Sequence, residues 1–566
     1  MLSWKRLCYV IFMVSVVSAV FMIYNINEER TKNIKTENDR EIRQTFLQAR
    51  PLSEETRQTV WLFGDEKKEI YGDIYQNVRR LFLDLHFAVA EEERFLPEKI
   101  KTDDLVVFCE DSIGSYADLA ALGDFVERGG RVILAAGLAE GNTDSYIWPY
   151  LGIREKSVRE NYNRLSFQKP LFPFQQEEMT YDGYSLSTWI HVGSDAMVYI
   201  EDAKKGVPIL HTYESGEGGM CLINGTFLSD ARCMGLLTGA AGALLSDFIY
   251  PVLGIKTVFL DDFPMITFIN DKACMKLYGC STESFVRDVV WPNFQGISLR
   301  TDTPYTSGIL TVASSEKSFP AVNDSLFTTI GKSALQYEGE LIYTQKCLNP
   351  NQIYFNQAFI DEFHAVFSNY AIHGLGLQTE DFTEEMTKIP QAEIDIIRGM
   401  LGHPQLRFSC EEDRFVYPAA TTGNSMEEGN LFAISSVAAA YGMISHVFDV
   451  NALIAEDAHT PSWDLDKKQI GIFETEALRA APWLRGVTLS ETKDYIKSYL
   501  NLDYRWNKSG NRIELSVSGI GKGQTFFYRT GGRIKKAEGL SYEEAGNGYY
   551  LLRVLENHAV IEMEGE

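Results

Sequence analysis

The chain has 566 residues, too many for one hydrophobic core, since cores stop growing near ~250 to 300 residues; two to four domains are expected. A composition of 45% hydrophobic and 12% aromatic residues excludes a disordered chain. With 53 Lys and Arg against 78 Asp and Glu, the formal net charge of −25 repels phosphate backbones and argues against nucleic acid, while a polysaccharide carrying free amines is compatible with it.

The first element follows "MLSWKR". Leu7 to Tyr24, "LCYVIFMVSVVSAVFMIY", carries no formal charge and is membrane-inserting material. Lys5 and Arg6 on the short leading side favour a cytoplasmic N-terminus. Residues 1–24 are therefore expected to be a single-pass anchor in the cell membrane, with the rest of the chain outside the cytoplasm. A signal peptide cut near "VSA", Val17 to Ala19, is the alternative; the apolar run through Phe21 to Tyr24 favours an uncleaved span. Residues 25–58 are polar and charge-mixed and read as a stalk or linker. The cysteines form no CxxC pair, so neither a zinc ribbon nor a dense disulfide framework is indicated.

From Thr59 strands and helices alternate. "TVWLFGD" reads as a strand, and Ile74, Val78, Leu81, Phe82 and Leu85 recur at helical spacing. "DDLVVFCED" reads as a buried strand; a helix follows, with Ser115 as a candidate N-cap and Gly129-Gly130 as its stop, then a strand from Arg131 to Ala136. Residues 59–245 are thus expected to form an open α/β sheet domain. Its strand-helix-Gly-Gly-strand pattern is similar to flavodoxin-like and glutamine-amidotransferase-like domains. Cys109 has no glycine-rich elbow and reads as a packed thiol, and "ESGEGG", Glu214 to Gly219, as a turn rather than a phosphate loop. Residues 250–500 form the next unit, ending in a helical signal from Thr488 onward. From residue 501 to 566, short alternating strands between Gly-rich turns suggest a small β-sandwich.

The chemistry points to "TVFLDDFPMITF", Thr257 to Phe268. An apolar strand delivers two adjacent carboxylates, Asp261 and Asp262, to its end, which is where catalytic groups collect in α/β barrels. One carboxylate can hold a divalent metal while its neighbour takes a proton from the attacking water.

"FLDDFP" resembles the first motif of the metal-dependent polysaccharide deacetylases of carbohydrate esterase type, with Phe263 in place of the signature glycine. The resemblance is nearest to the deacetylase-domain proteins of Pel-type exopolysaccharide loci. It implies a distorted (β/α) barrel over residues 250–500, with Asp261 as general base and Asp262 as ligand of Zn2+ or a similar divalent metal. "NYAIHGLGLQ" resembles the family's His-x-x-x-His motif, whose spacing places two imidazoles on one helical face. It supplies His373 as a metal ligand, but Leu377 stands at the second position. His364 and His403 lie outside that spacing. "FVYPAATTGNS" resembles the groove-lining motif, with Tyr417 and Pro418 as substrate-binding residues and Ala419 replacing a second proline. "GMISHVFDVNAL" resembles the late histidine segment and would place the general acid on His446, with Asp449 where another histidine is usual. Trp291, Trp463 and Trp483 are candidate stacking platforms, Trp463 foremost.

With one of three metal ligands missing, the resemblance implies an impaired deacetylase-like domain that binds an amino-sugar polysaccharide or exopolysaccharide assembly proteins. Two alternatives stand beside it: an active metal-dependent N-deacetylase, and a structural protein docking a partner through residues 59–245. Leu377→His is expected to raise zinc affinity if the motif is placed correctly.

Overall fold

The computed structural model describes residues 58–564, apart from stretches at 266–270, 317–318, 320–323, 348, 350, 380–381, 402–407, 412–413, 428, 451–461 and 519–523. The expected anchor, the stalk up to residue 57, and His403 lie outside the described residues. Among the described residues no helix is long and apolar enough to cross a membrane.

The first unit is a nine-stranded sheet: β1 (Thr59–Phe63), β2 (Ala88–Glu91), β3 (Leu105–Phe108), β4 (Arg131–Leu134), β5 (Ile153–Phe167), β6 (Glu178–Val192), β7 (Met197–Asp202), β8 (Pro208–Ser215) and β9 (Gly218–Ile223). Their order is β2-β1-β3-β4-β9-β8-β7-β5-β6. The first five are parallel, and β3 and β4 are apolar runs because helices cover both faces there. The last four are joined antiparallel, which the expected βαβ pattern did not anticipate. Helix Glu69–Asp84 buries Ile74, Val78, Leu81 and Phe82 as their spacing requires. Helix Leu119–Glu127 is capped by Asp118, whose carboxylate accepts from the N–H groups of Ala120 and Ala121; Ser115 lies in the turn before it. Cys109 is fully buried, and burial pushes its thiol well above the ordinary range. "ESGEGG" turns β8 into β9, with Gly216 at a φ of +63°.

The next strand, β10 (Asp247–Val252), leaves this sheet and pairs far down the chain. After it comes a curled sheet: β11 (Ile255–Asp261), β12 (Tyr305–Ala313), β13 (Glu340–Lys346), β14 (Tyr354–Phe355), β15 (Gly374–Leu377), β16 (Ile396–Met400), β17 (Ser409–Glu411), β18 (Arg414–Ala419), β19 (Thr421–Thr422), β20 (Met443–Asp449) and β21 (Arg485–Gly486). Seven strands run parallel in the order β20-β11-β12-β13-β15-β16-β18. The segment 414–422 borders β16 along β18 and then β20 along β19, which curls the sheet into an incomplete barrel.

The last unit holds β22 (Asp503–Ser509), β23 (Arg512–Ser518), β24 (Gln524–Thr530), β25 (Ile534–Glu538), β26 (Leu540–Gly546), β27 (Tyr549–Val554) and β28 (His558–Met563). Two antiparallel sheets, β10-β24-β27-β26 and β22-β23-β28-β25, enclose Ile249, Leu515, Phe526, Leu552 and Ile561. The expected β-sandwich therefore borrows a strand from the segment between the other two units.

These units meet on helix Met234–Leu244, "MGLLTGAAGAL", of which ten residues are buried. It is apolar all round because protein surrounds it. It packs against helix Asn430–Tyr441 of the barrel, where a Cβ on Gly235 would lie 2.3 Å from the Ser436 carbonyl oxygen. Gly235 N–H donates to Ser436 Oγ at 3.0 Å. Further along, Arg529 of the sandwich donates to the Gly239 carbonyl. Gly235→Val is expected to lower stability by ~1 to 3 kcal/mol through overpacking against backbone, read as a fall in the denaturant midpoint.

Candidate functional site

Along β11, alternate residues face the barrel interior, and three contacts identify which. Thr257 Oγ1 donates to Tyr417 Oη at 3.1 Å, the Phe259 ring lies 5.0 Å from the Arg398 guanidinium, and Asp261 meets that guanidinium directly. Arg398 Nη1 donates to Asp261 Oδ1 at 2.6 Å and Nη2 to Oδ2 at 2.8 Å, a bidentate pair between side chains 2% and 8% exposed. A third bond, Nη2 to the Leu377 carbonyl at 3.0 Å, holds the guanidinium from the side. Glycines clear the space: a Cβ on Gly308 would lie 2.9 Å from Asp261 Oδ1, and one on Gly376 would lie 3.0 Å from Arg398 Nη2.

One residue on, Asp262 adopts a φ of +54°, a left-handed conformation that Asp tolerates better than most side chains. It sits at the C-terminal mouth of the barrel. Gln378, just past β15, donates its amide to Asp262 Oδ1 at 2.8 Å. Burial raises the Asp262 pKa to about 6; the Gln378 bond opposes that rise, the charges of Asp261 and Asp449 add to it, and Lys346 opposes it. Asp449, Lys346 and Arg398 all come from the ends or inner faces of parallel strands, so tertiary pairing alone assembles this charged ring. Arg398 was missed at the level of sequence, although a lone arginine inside "IIRGM" is the kind of buried charge that needs a partner.

The other expected site residues fall elsewhere. His373 and Leu377 are not on a helix: they bracket β15, and four residues of strand span ~13 Å. His373 precedes the strand and so lies at the opposite end of the barrel from Asp262. There its Nδ1 is 3.7 Å from Asp395 Oδ2, which also accepts from Lys493 Nζ at 2.6 Å. Leu377 is buried in the apolar layer outside the sheet. His446 pairs in register with Val258, one step out of phase with the interior face, and lies between the sheet and Phe473. Its Nδ1 bonds Thr421 Oγ1 at 2.8 Å, and burial pulls its pKa down to about 3, so it stays neutral. It does not share a face with Asp261. Tyr417 is fully buried inside the barrel, with burial pushing its hydroxyl up to about 12, and Pro418 beside it is also buried. Trp463 packs edge-on against Phe285 in the core, Trp291 against Phe263, and Trp483 against Phe527 of the sandwich. None of the three is an open platform.

Among the described residues the expected metal ligands do not come together. Among the described residues no three His, Cys, Asp or Glu side chains gather as a ligand set, and neither His373 nor His446 stands at the mouth with Asp262. What the arrangement offers is an anionic rim, Asp262 and Asp449, beside a neutralised pair, Asp261 and Arg398, with the Gln378 amide between.

The chain belongs to the family described as uncharacterised protein conserved in bacteria (DUF2194), whose model matches residues 62–344, half of the chain. That match runs from β1 to β13, across both the first sheet and the first strands of the barrel. No curated protein matches. Among solved structures, the chain is similar to a ThuA-like protein of Bacteroides uniformis at 15% identity, covering 35% of this chain and 95% of that one, with a TM-score of 0.27. A β-galactosidase of Bacillus circulans aligns at 14% identity over 33% of this chain and 31% of that one, TM-score 0.24. An exo-β-1,4-mannosidase of an Opitutaceae bacterium aligns at 14% identity, 33% and 36%, TM-score 0.24. The chain spans about a third of the length of these two glycosidases.

Arg398→Met is expected to cost ~3 to 5 kcal/mol, because Asp261 is left charged and buried, and a compensating Asp261→Leu should recover most of that loss in denaturant unfolding. Leu377→His should place an imidazole in the apolar outer layer, lowering stability by about 2 kcal/mol or more without raising zinc affinity in a metal titration. Folding raises Asp262 from 3.8 to about 6, so the folded chain holds a proton that the unfolded chain releases. Its stability contribution is full below about pH 4 and lost as pH rises through 6; Asp262→Asn should remove that fall from a pH series of unfolding midpoints.

Proposed function

We propose that this member of the DUF2194 family is an extracytoplasmic glycan-binding protein, held at the cell membrane by residues 1–24 and acting in Pel-like exopolysaccharide assembly. Its barrel is of deacetylase type and its first domain amidotransferase-like, and the barrel mouth takes an amino-sugar polysaccharide without hydrolysing its acetamides. The observation that carries this reading is the pairing of Asp261 with Arg398. Deacetylation would need Asp261 to accept a proton from water, yet both its oxygens already accept from a buried guanidinium. Protonating it would sacrifice a charge-assisted bidentate pair and leave Arg398 buried and uncompensated.

Asp262 and Asp449 remain at the rim, and their charges suit the ammonium of a glucosamine-type unit, with the Gln378 amide next to them for a hydroxyl. An N-acetylated unit would offer no charge to that rim.

Calorimetry with a glucosamine tetramer against its N-acetylated form tests the reading. The amine form is expected to bind ~10-fold more tightly, a difference of about 1.4 kcal/mol, and Asp262→Asn or Asp449→Asn should erase the preference. Binding should weaken as pH falls through about 6, where Asp262 takes up its proton. Acetate release from the N-acetylated tetramer, abolished by Asp261→Asn, would replace this reading with an active deacetylase.

A further inference from the structure

In a cleft that shares no lining residue with the barrel mouth, the first sheet and the β-sandwich face each other across about 370 Å³, within the ~300 to 1,000 Å³ of small-molecule sites, which favour domain interfaces. One wall is β22, an edge strand of the sandwich, with Arg505, Trp506 and Asn507; the other carries Gln58, Lys101 and Asp103 around the entry to β1 and β3. The floor is fixed, since Tyr504 Oη donates to the Leu85 carbonyl at 3.3 Å across the interface.

The cleft carries Asp103 and Asp104 beside Lys101, Arg505 and Lys508, but not every cation in it has a direct partner. Lys508 is satisfied by Asp247 at 2.5 Å. Lys101 Nζ and the Arg505 guanidinium make no bond within the protein among the described residues, although the chain carries a net charge of −25. Asp104 is not their direct partner: it is buried, and its oxygens accept from Thr59 N at 3.1 Å, Trp61 Nε1 at 3.0 Å and the Lys101 backbone N at 3.2 Å. Trp506 is half-buried against the sandwich core, and its indole N–H likewise has no protein partner among the described residues.

We infer that this cleft binds a uronate unit of an acidic glycan. The Arg505 guanidinium and Lys101 ammonium take the sugar carboxylate, the indole of Trp506 takes the C–H face of the pyranose, and the Asn507 and Gln58 amides take hydroxyls. An acidic peptide would present the same carboxylates, but its acidic side chains offer no ring face of C–H groups to lie on the Trp506 indole, which favours the glycan.

Titration of the full-length protein with a galacturonate tetramer, followed by tryptophan fluorescence and calorimetry, tests the inference. The tetramer is expected to bind, its methyl ester to bind at least ~10-fold more weakly, and Arg505→Glu, Lys101→Glu and Trp506→Ala each to weaken it ~10-fold, about 1.4 kcal/mol. Affinity should fall with ionic strength, since the cations are exposed. Asp262→Asn should leave this binding unchanged, which separates the cleft from the barrel mouth. The inference is overturned if the acid does not bind, if the methyl ester or tetraglutamate binds as tightly as the acid, or if Arg505→Glu has no effect.

Discussion

Helix Met234–Leu244 carries glycines at three places where other parts of the molecule press on it, and two of those close approaches cross between domains. Gly235 admits the backbone of helix Asn430–Tyr441, Gly239 admits Leu171 from its own domain, and Gly242 admits the stem of Arg529 from the sandwich. The polar groups exposed by such close approach are satisfied across the same contacts. Tyr250 Oη donates to the Ala439 carbonyl at 2.6 Å, and Tyr549 Oη donates to the Leu171 carbonyl at 2.9 Å. Small residues here gain interhelical contact at the expense of helix propensity, a trade that works only where burial is complete.

The same logic of cleared space governs the barrel mouth. Gly308 and Gly376 leave room for a guanidinium and a carboxylate to pair inside the strands, and the Leu377 carbonyl and Phe259 ring hold the guanidinium in place. Buried pairs of this kind add little net stability over an apolar filling, yet losing one partner is costly. The pair therefore specifies geometry: it draws Asp261 inward and leaves Asp262, turned by its left-handed backbone, as the carboxylate that faces the rim. Two adjacent like charges are tolerated because one is neutralised and the other is partly protonated near pH 6.

The β-sandwich is more than a terminal appendage. By taking β10 as its own strand it is stitched into the segment between the first sheet and the barrel, and its other face packs Phe248 and Tyr250 into the central core. This placement creates the cleft beside β22 as well.

Much of this was readable from residue order. The apolar runs at β3 and β4 declared buried strands, the alternation after residue 501 declared a sandwich, and "FLDDFP" ended its strand at Asp261 as expected. Those features depend on periodicity and on residues within a few positions of one another. Where the local signal was a spacing shared by two geometries, it failed: "HGLGL" fits a helical His-x-x-x-His, but its glycines face Arg398 and Ile342 in a strand, which puts the two ends ~13 Å apart. Likewise only register could show that His446 points away from Asp261, since a shift of one residue on a strand reverses the face. The partner of Asp261 lies 137 positions away, and that of β10 lies far beyond the barrel. Such contacts are chosen by packing across the whole chain, so composition and spacing determined the elements and the acidic character of this protein, while tertiary structure alone decided which charges meet.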